Sequence, residues 1–228
     1  NEIAPVYDKL NDILSLGISH YWRSDALKEL RKYPLDQILD IATGTGDFAI
    51  KSIKIVQPVK ITAADISETM IQLGKEKVKA KGLQDIIVFE KQDCANLTYT
   101  DNHFAAVTTS FGIRNFDNND KSFQEILRVL KPGGIFLSIE LTKPEKSPMR
   151  QLHASYCRYV VPALSRFFCS DERANDYLPA SIDAFPQGRE MMLMLKKNGF
   201  TNIRLRRYTL GVVTLYMAEK PIFSSTVS

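Results

Sequence analysis

Residues Leu39-Asp40-Ile41-Ala42-Thr43-Gly44-Thr45-Gly46-Asp47 read as a short apolar strand that enters a glycine-rich turn and leaves it as a helix. Gly44 and Gly46 let the backbone pass close beneath a ligand, because no Cβ stands between them. The N–H groups at the start of the following helix point into the same space. A unit of this kind belongs to α/β folds that bind ligands at the carboxyl ends of their strands. Alone, it implies only a nucleotide-like ligand.

The next segments repeat the unit. Gln37–Ile41 reads as a strand, 46–54 as a helix, Lys60–Asp65 as a strand, and 67–81 as a helix capped by Ser67 and closed by Gly82. Residues 86–90 and 104–110 read as further strands. Residues 121–130 form a helix with Phe123, Ile126, Leu127 and Leu130 at helical spacing. Pro132-Gly133-Gly134 is expected to break the chain before a fifth strand at 135–140. Repeated βα units imply a parallel, doubly wound sheet.

The C-terminal part departs from this alternation. A helix at 191–197 is followed by strand-like runs at 202–208 and 212–219. Only Thr209-Leu210-Gly211 lies between those runs, too little for a parallel crossover, so they must pair as an antiparallel hairpin. A parallel sheet ending in such a hairpin resembles the class I methyltransferase (Rossmann-like) fold, here a mostly parallel seven-stranded sheet. Two segments stand outside the alternation. Residues 1–34 look helical, with a Ser24 cap and Ala26, Leu27 and Leu30 on one face, and residues 145–185 are rich in Tyr, Phe, Leu and Arg. The chain therefore reads as one domain: a helical lid at 1–34, a cofactor-binding core at 35–144, a helical insertion at 145–185, and a helix with hairpin at 186–220. The lid and insertion together are expected to cover a substrate, or else, for much of their length, to pack on the sheet.

Composition removes several alternatives. With 30 Lys and Arg against 26 Asp and Glu, the net charge of +4 is small and dispersed, which argues against a nucleic-acid partner. The basic run Arg204-Leu205-Arg206-Arg207 alternates like a strand with one wet face. Cys94, Cys157 and Cys169 are odd in number and lack a CxxC pair, which argues against a disulfide framework or a zinc site and fits a reducing compartment. No apolar run has the length of a membrane span, and no signal peptide is visible. The chain starts at Asn1, which leaves an upstream segment open.

The residues just after each strand narrow the ligand. Asp65 stands at the end of the second strand, in Ala64-Asp65-Ile66-Ser67, where a carboxylate can accept from both hydroxyls of a ribose. Gln92-Asp93-Cys94-Ala95 comes after the third strand, where an acid and a backbone N–H can hold an adenine edge. Ser110-Phe111-Gly112 ends the fourth, at the reactive end of the cofactor. An NAD enzyme would usually carry Gly-x-Gly-x-x-Gly, whereas here Asp47 and Phe48 come after Gly46. In this order the pieces resemble the motif series of S-adenosylmethionine-dependent methyltransferases. Ala42 stands where most members of that class have the first glycine of the turn.

The chain is similar to the ubiquinone/menaquinone biosynthesis C-methyltransferases (UbiE-type, including demethylmenaquinone methyltransferases) over nearly its whole length. The resemblance lies in Tyr7-Asp8-Lys9-Leu10-Asn11-Asp12, Ser15-Leu16-Gly17, His20-Tyr21-Trp22-Arg23 and Ser110-Phe111-Gly112-Ile113-Arg114-Asn115. Tyr177-Leu178-Pro179-Ala180-Ser181-Ile182 extends it, as do Gly199-Phe200 and Leu210-Gly211. Thr43 and Ile18 depart from commoner choices of the family. The resemblance implies methyl transfer from S-adenosylmethionine to a ring carbon of a polyprenylated hydroquinone. It implies cofactor contacts from Thr45, Asp65, Asp93, Cys94 and Ser110, with Asp40, Gly44, Gly46 and Ile66 around them and no metal.

The chemistry also follows from the substrate class. A ring carbon beside a phenol becomes nucleophilic once the phenol, whose pKa is about 10, loses its proton. The site therefore needs a base, a cation, or both. Arg114 is the candidate cation, either stabilising the phenolate or positioning a water, and Asn115 can hydrogen-bond a quinol oxygen. His20 is the candidate base, the alternative being that His20 and Arg23 only tie the N-terminal segment down. Tyr7 and Asn11, at i and i+4, can close over the ring. Trp22 and Met191, Met192 and Met194 read as packing.

A polyprenyl substrate places the protein at the inner face of the membrane from the cytoplasmic side, as a peripheral contact. Tyr156, Tyr159, Val160, Val161, Leu164, Phe167 and Phe168 would form a path for the tail with Arg158 and Arg166 near lipid phosphates, or else pack as core. A homodimer is allowed for. Three functional readings stand: menaquinol C-methylation with benzoquinol as the alternative ring, methylation of another small molecule, and a non-catalytic scaffold. Intact Gly44, Gly46 and Asp65 weigh against the last.

Overall fold

The protein is described by a computed structural model that covers residue 15 and residues 17–160, 181–182 and 184–222. Tyr7, Asn11, the Tyr177–Ala180 motif, Val161, Leu164, Arg166, Phe167, Phe168 and Cys169 lie outside the described residues.

Among the described residues, seven strands form one sheet: β1 (Gln37–Ile41), β2 (Lys60–Asp65), β3 (Ile87–Lys91), β4 (Phe104–Ser110), β5 (Leu130–Leu141), β6 (Thr201–Tyr208) and β7 (Val213–Glu219). Their order across the sheet is β3-β2-β1-β4-β5-β7-β6. The first five run parallel, while β7 is antiparallel to both β5 and β6. Helices α1 (Ser19–Leu30), α2 (Asp47–Val56) and α3 (Glu68–Ala80) cover one face; α4 (Asn119–Val129) and α6 (Arg189–Lys197) cover the other. A further helix, α5 (Met149–Ser155), continues as a π-helical turn at Tyr156–Val160.

The strands carry apolar side chains on both sides because both faces are covered. Ile38 of β1 and Leu137 of β5 join Trp22, Leu27, Phe48 and Ile61 in one core. Leu39 and Phe136, their immediate neighbours in sequence, join Phe123, Ile126, Met191 and Tyr216 in the other. Period-2 alternation thus divides each strand between two cores.

Three local expectations change. Ser24 does not cap α1. The helix starts at Ser19, and the Ser24 hydroxyl, one turn inside, donates to the His20 carbonyl at 2.6 Å. The Pro132-Gly133-Gly134 segment does not precede the fifth strand but lies within it. Leu130 already pairs with Phe104, and the register then slips so that Ile135 meets Ala106. Helix α4 begins at Asn119 because the Asn118 side chain accepts the Lys121 N–H at 3.0 Å. The hairpin forms as expected, with Tyr208 opposite Val213 and Arg207 opposite Thr214.

Candidate active site

At the carboxyl ends of β1, β2, β3 and β4 lies a cavity of about 400 Å³, within the usual range for small-molecule sites. Its floor is the turn after β1. Ala42, Gly44 and Gly46 all take positive φ, at 47°, 58° and 81°. A Cβ at Gly44 would meet nothing within 4 Å, so the backbone there is open to a ligand. The turn closes by the Gly46 N–H donating to the Thr43 carbonyl at 3.0 Å, and Gly46 then starts α2.

Asp65, at the end of β2, braces this floor. One carboxylate oxygen accepts the Gly44 N–H at 2.8 Å and the other the Ser67 N–H at 2.9 Å. A carboxylate has about four acceptor positions, so both oxygens retain capacity toward the cavity. Ile66 lies beside it, 65% exposed, on the cavity wall. Asp93 and Cys94 line the wall after β3, where the Asp93 carboxylate accepts the Ala95 N–H at 2.9 Å. Burial pushes the Cys94 thiol up to about 12, so it stays a neutral thiol and offers no thiolate chemistry.

Asp40 is fully buried beneath the turn, and its carboxylate accepts the Thr43 hydroxyl at 2.6 Å and the Thr108 hydroxyl at 2.7 Å. Burial raises its carboxyl to about 6, opposed by those two hydroxyls and by the nearby charge of Arg23. Thr45 is buried, and its hydroxyl accepts from Lys77 of α3 at 2.9 Å; Lys77 also pairs with Asp47 at 2.7 Å. Lys77 ties the turn to α3, a link that no local pattern announces because thirty-two residues separate Lys77 from Thr45.

Ser110, Phe111, Gly112, Asn115 and Phe116 form the wall after β4. Phe111 holds a positive φ of 62°, costly for a large side chain and characteristic of strained functional turns. Gly112 packs so near Ala42 that a Cβ on it would lie 2.7 Å from the Ala42 Cβ. This contact gives a reason for a small residue at 42, where Ala serves.

Arg114 is not among the residues lining the cavity. Its guanidinium, 2% exposed, donates to Glu140 at 3.2 Å and to the Phe111 carbonyl at 2.6 Å. Glu140, which no sequence motif singles out, also accepts the Ile113 N–H at 2.8 Å. His20 sits exposed on the first turn of α1, outside the cavity lining. Arg23, three residues on, does line it, with its Nε donating to the Ser110 hydroxyl at 3.1 Å. Trp22 is core, its indole N–H donating to the Thr209 hydroxyl at 2.9 Å. Among the described residues, no cluster of His, Cys, Asp and Glu is arranged to hold a metal ion.

A sheet of this order with an antiparallel seventh strand, holding its cavity over the ends of β1, β2 and β4, defines a class I methyltransferase. The sequence narrows the class: the chain belongs to the ubiE/COQ5 methyltransferase family, which matches residues 1–220. It is 46% identical to the demethylmenaquinone methyltransferase of Bacteroides fragilis over 220 residues, 96% of this chain and 90% of that protein. It is 37% identical to the ubiquinone/menaquinone biosynthesis C-methyltransferase UbiE of Geotalea daltonii, over 96% of this chain and 93% of that protein. Among solved structures, the SAM dependent methyltransferase from Aquifex aeolicus superimposes with a TM-score of 0.61 at 20% identity, over 86% of this chain and 89% of that one. That likeness bears on the fold.

The donor set fits S-adenosylmethionine. The cavity offers a floor open at Gly44, an acid with spare acceptor capacity at Asp65, and hydrogen-bonding groups beyond β3 and β4.

Proposed function

We propose that this chain transfers a methyl group from S-adenosylmethionine to a ring carbon of a polyprenylated demethylmenaquinol. The observation that carries this reading is the 46% identity to a demethylmenaquinone methyltransferase across 96% of the chain. Relatives named for both quinones make the benzoquinol ring the second reading.

S-adenosylmethionine supplies an electrophilic methyl group on a positively charged sulfur. The rest is the work of the chain. Asp65 accepts the ribose hydroxyls, Ile66 lies against the base, and Asp93 with the backbone of Cys94 meets the adenine edge. Gly44 and Gly46 let the nucleoside approach the backbone, above the buried Asp40. Thr45 and Ser110 stand at the amino-acid end. Asn115 projects beside Phe111 and Phe116, where its amide can bond a quinol oxygen and so orient the ring carbon for in-line attack.

A phenol deprotonates more readily where positive charge stabilises its oxyanion. Arg114 acts here as a positioning residue, holding the Phe111–Phe116 turn through Glu140 and the Phe111 carbonyl. His20, exposed on the first turn of α1, stands as the base of this reading for a ring that extends past the cavity lining.

A polyprenyl tail brings the substrate from a bilayer, so a peripheral contact at the cytoplasmic face belongs to the same reading. Leu152, Tyr159 and Val160 are exposed apolar side chains on the α5 segment, with the Arg158 guanidinium 5.5 Å over the Tyr159 ring. Among the described residues no helix is long and apolar enough to cross a membrane. Homodimerisation is part of the reading and is measured by light scattering.

The deciding experiment incubates the purified chain with S-adenosylmethionine and, in parallel, reduced demethylmenaquinol and demethylated benzoquinol analogues. Mass spectrometry is expected to find the naphthoquinol product with one added methyl. Methylation of the benzoquinol alone would reverse the ring assignment, and no product from either would refute the function.

A further inference from the structure

Arg23 is a buried cation whose charge no described carboxylate neutralises at short range. The residue is 8% exposed, and it reaches the cavity from α1. Its Nε donates to the Ser110 hydroxyl at 3.1 Å, and its Cζ lies 5.2 Å from the centroid of the Phe111 ring. Among the described residues no carboxylate lies within salt-bridge distance of it, and Asp40 acts on it only through space. The two terminal nitrogens, which carry four N–H donors, make no hydrogen bond to a described residue. A guanidinium removed from water needs an anion, and the side open to it is the cavity.

The position along the sheet says which anion. Asp65 and Ser110 end β2 and β4, which flank β1 on either side. Two strand spacings separate them, about 10 Å. A nucleoside whose ribose lies at β2 therefore has its far end at β4, beneath Arg23. At that end S-adenosylmethionine carries its only anionic group.

We propose that Arg23 recognises the α-carboxylate of the amino-acid portion of S-adenosylmethionine. The proposal rests on the methyltransferase reading above. The planar guanidinium matches a carboxylate with two parallel N–H donors. Ser110 and the Phe111 ring hold the fork in place, and the buried Asp40 supplies negative potential for the neighbouring ammonium. Arg23 is thus a cofactor-binding residue that reaches the site from the N-terminal helix, outside the βα core.

Calorimetry with two unreactive probes tests this. S-adenosylhomocysteine keeps the carboxylate. Its decarboxylated analogue, S-adenosyl-3-thiopropylamine, keeps the nucleoside and the ammonium. The wild-type chain is expected to prefer the first by about tenfold to a hundredfold. Arg23→Gln should remove that preference while binding the decarboxylated probe as the wild type does, which also reports that the cavity is intact. Arg23→Lys, which keeps the charge but not the fork, should retain a reduced preference, and it carries the test if the glutamine variant does not fold.

Equal weakening toward both probes, or an undiminished preference in either variant, overturns the assignment. An undiminished preference with lost turnover would place Arg23 on the substrate phenolate instead. Wild-type binding of both probes without preference removes only the role of Arg23. Failure of the wild type to bind either removes the cofactor reading beneath it.

Discussion

Glu140 and Arg114 form an ion pair at 3.2 Å in which the two side chains are 0% and 2% exposed. The other Glu140 oxygen accepts the Ile113 N–H, and the Arg114 guanidinium donates to the Phe111 carbonyl. Together they fasten the turn that carries Phe111, Asn115 and Phe116 to the end of β5. Burial raises the Glu140 carboxyl, and the charge of Arg114 opposes that rise.

Removing one partner leaves the other buried without its counter-charge, which costs about 3–5 kcal/mol. Arg114→Ala and Glu140→Ala should each lose stability of that order in urea titration. The double variant should lose less than the sum. A stable Arg114→Ala chain that binds cofactor but does not turn over would instead assign Arg114 directly to the reaction.

Asp40 predicts a dependence on pH. Its folded carboxyl sits at about 6, above the ordinary 3.8, because burial disfavours the charge. The folded state thus holds the proton more tightly than the unfolded one. The favourable contribution is complete below about pH 4 and is lost as the pH rises through 6. Asp40→Asn cannot ionise. Measured by thermal or urea unfolding, wild-type stability minus that of Asp40→Asn should fall by about 2 to 3 kcal/mol between pH 4 and pH 7. A flat difference would refute the shifted carboxyl.

Gly46 is held in place by the ring of Phe89. Its φ is 81°, and an added Cβ would stand 2.6 Å from the Phe89 ring, which also abuts Gly74 of α3. Gly46→Ala should cost about 2 kcal/mol or more from the left-handed backbone and the clash together. It should also weaken S-adenosylhomocysteine binding in calorimetry, since the ring, the turn or both must shift. Unchanged stability and affinity would contradict the packing.

Arg206, on β6, reaches α1 with hydrogen bonds of 3.0 Å to Asp25 and 2.5 Å to Glu29. It is half exposed, so the pairs are screened. Arg206→Ala should cost only about 0.5–1 kcal/mol, less at high salt. Faster amide exchange confined to α1 would accompany that loss, and no change in α1 exchange would count against the link. The basic run is thus taken up by contacts within the fold: Arg206 holds α1 to the sheet edge, Arg204 donates to the Tyr33 hydroxyl beyond the end of α1 at 2.9 Å, and Arg207 pairs with Glu145 in the segment after β5.

Much of the scaffold is legible from local pattern. Lys60–Asp65 and Phe104–Ser110 match their expected limits because each is a stretch of mostly apolar and β-branched residues, largely buried, between turn residues. The start of β5 is not legible. Lys131–Gly134 has the composition of a turn, and it is drawn into the strand by pairing of Leu130 with Phe104 and by backbone hydrogen bonds of Gly133 and Gly134 with Lys220. Ser24 misleads for a similar reason: a serine before an apolar helical face looks like a cap, and the earlier start at Ser19 has no such signal.

Residue types at fixed spacings along the chain were enough to define the order of βα units, the hairpin, the glycine turn and the family. Where charge resides was settled by folding alone. Arg114 lies next to the site in sequence but points to Glu140, while Arg23, eighty-seven residues from Ser110, reaches the cavity. A side chain's burial and partner depend on which elements pack against it, and that is a property of the folded chain.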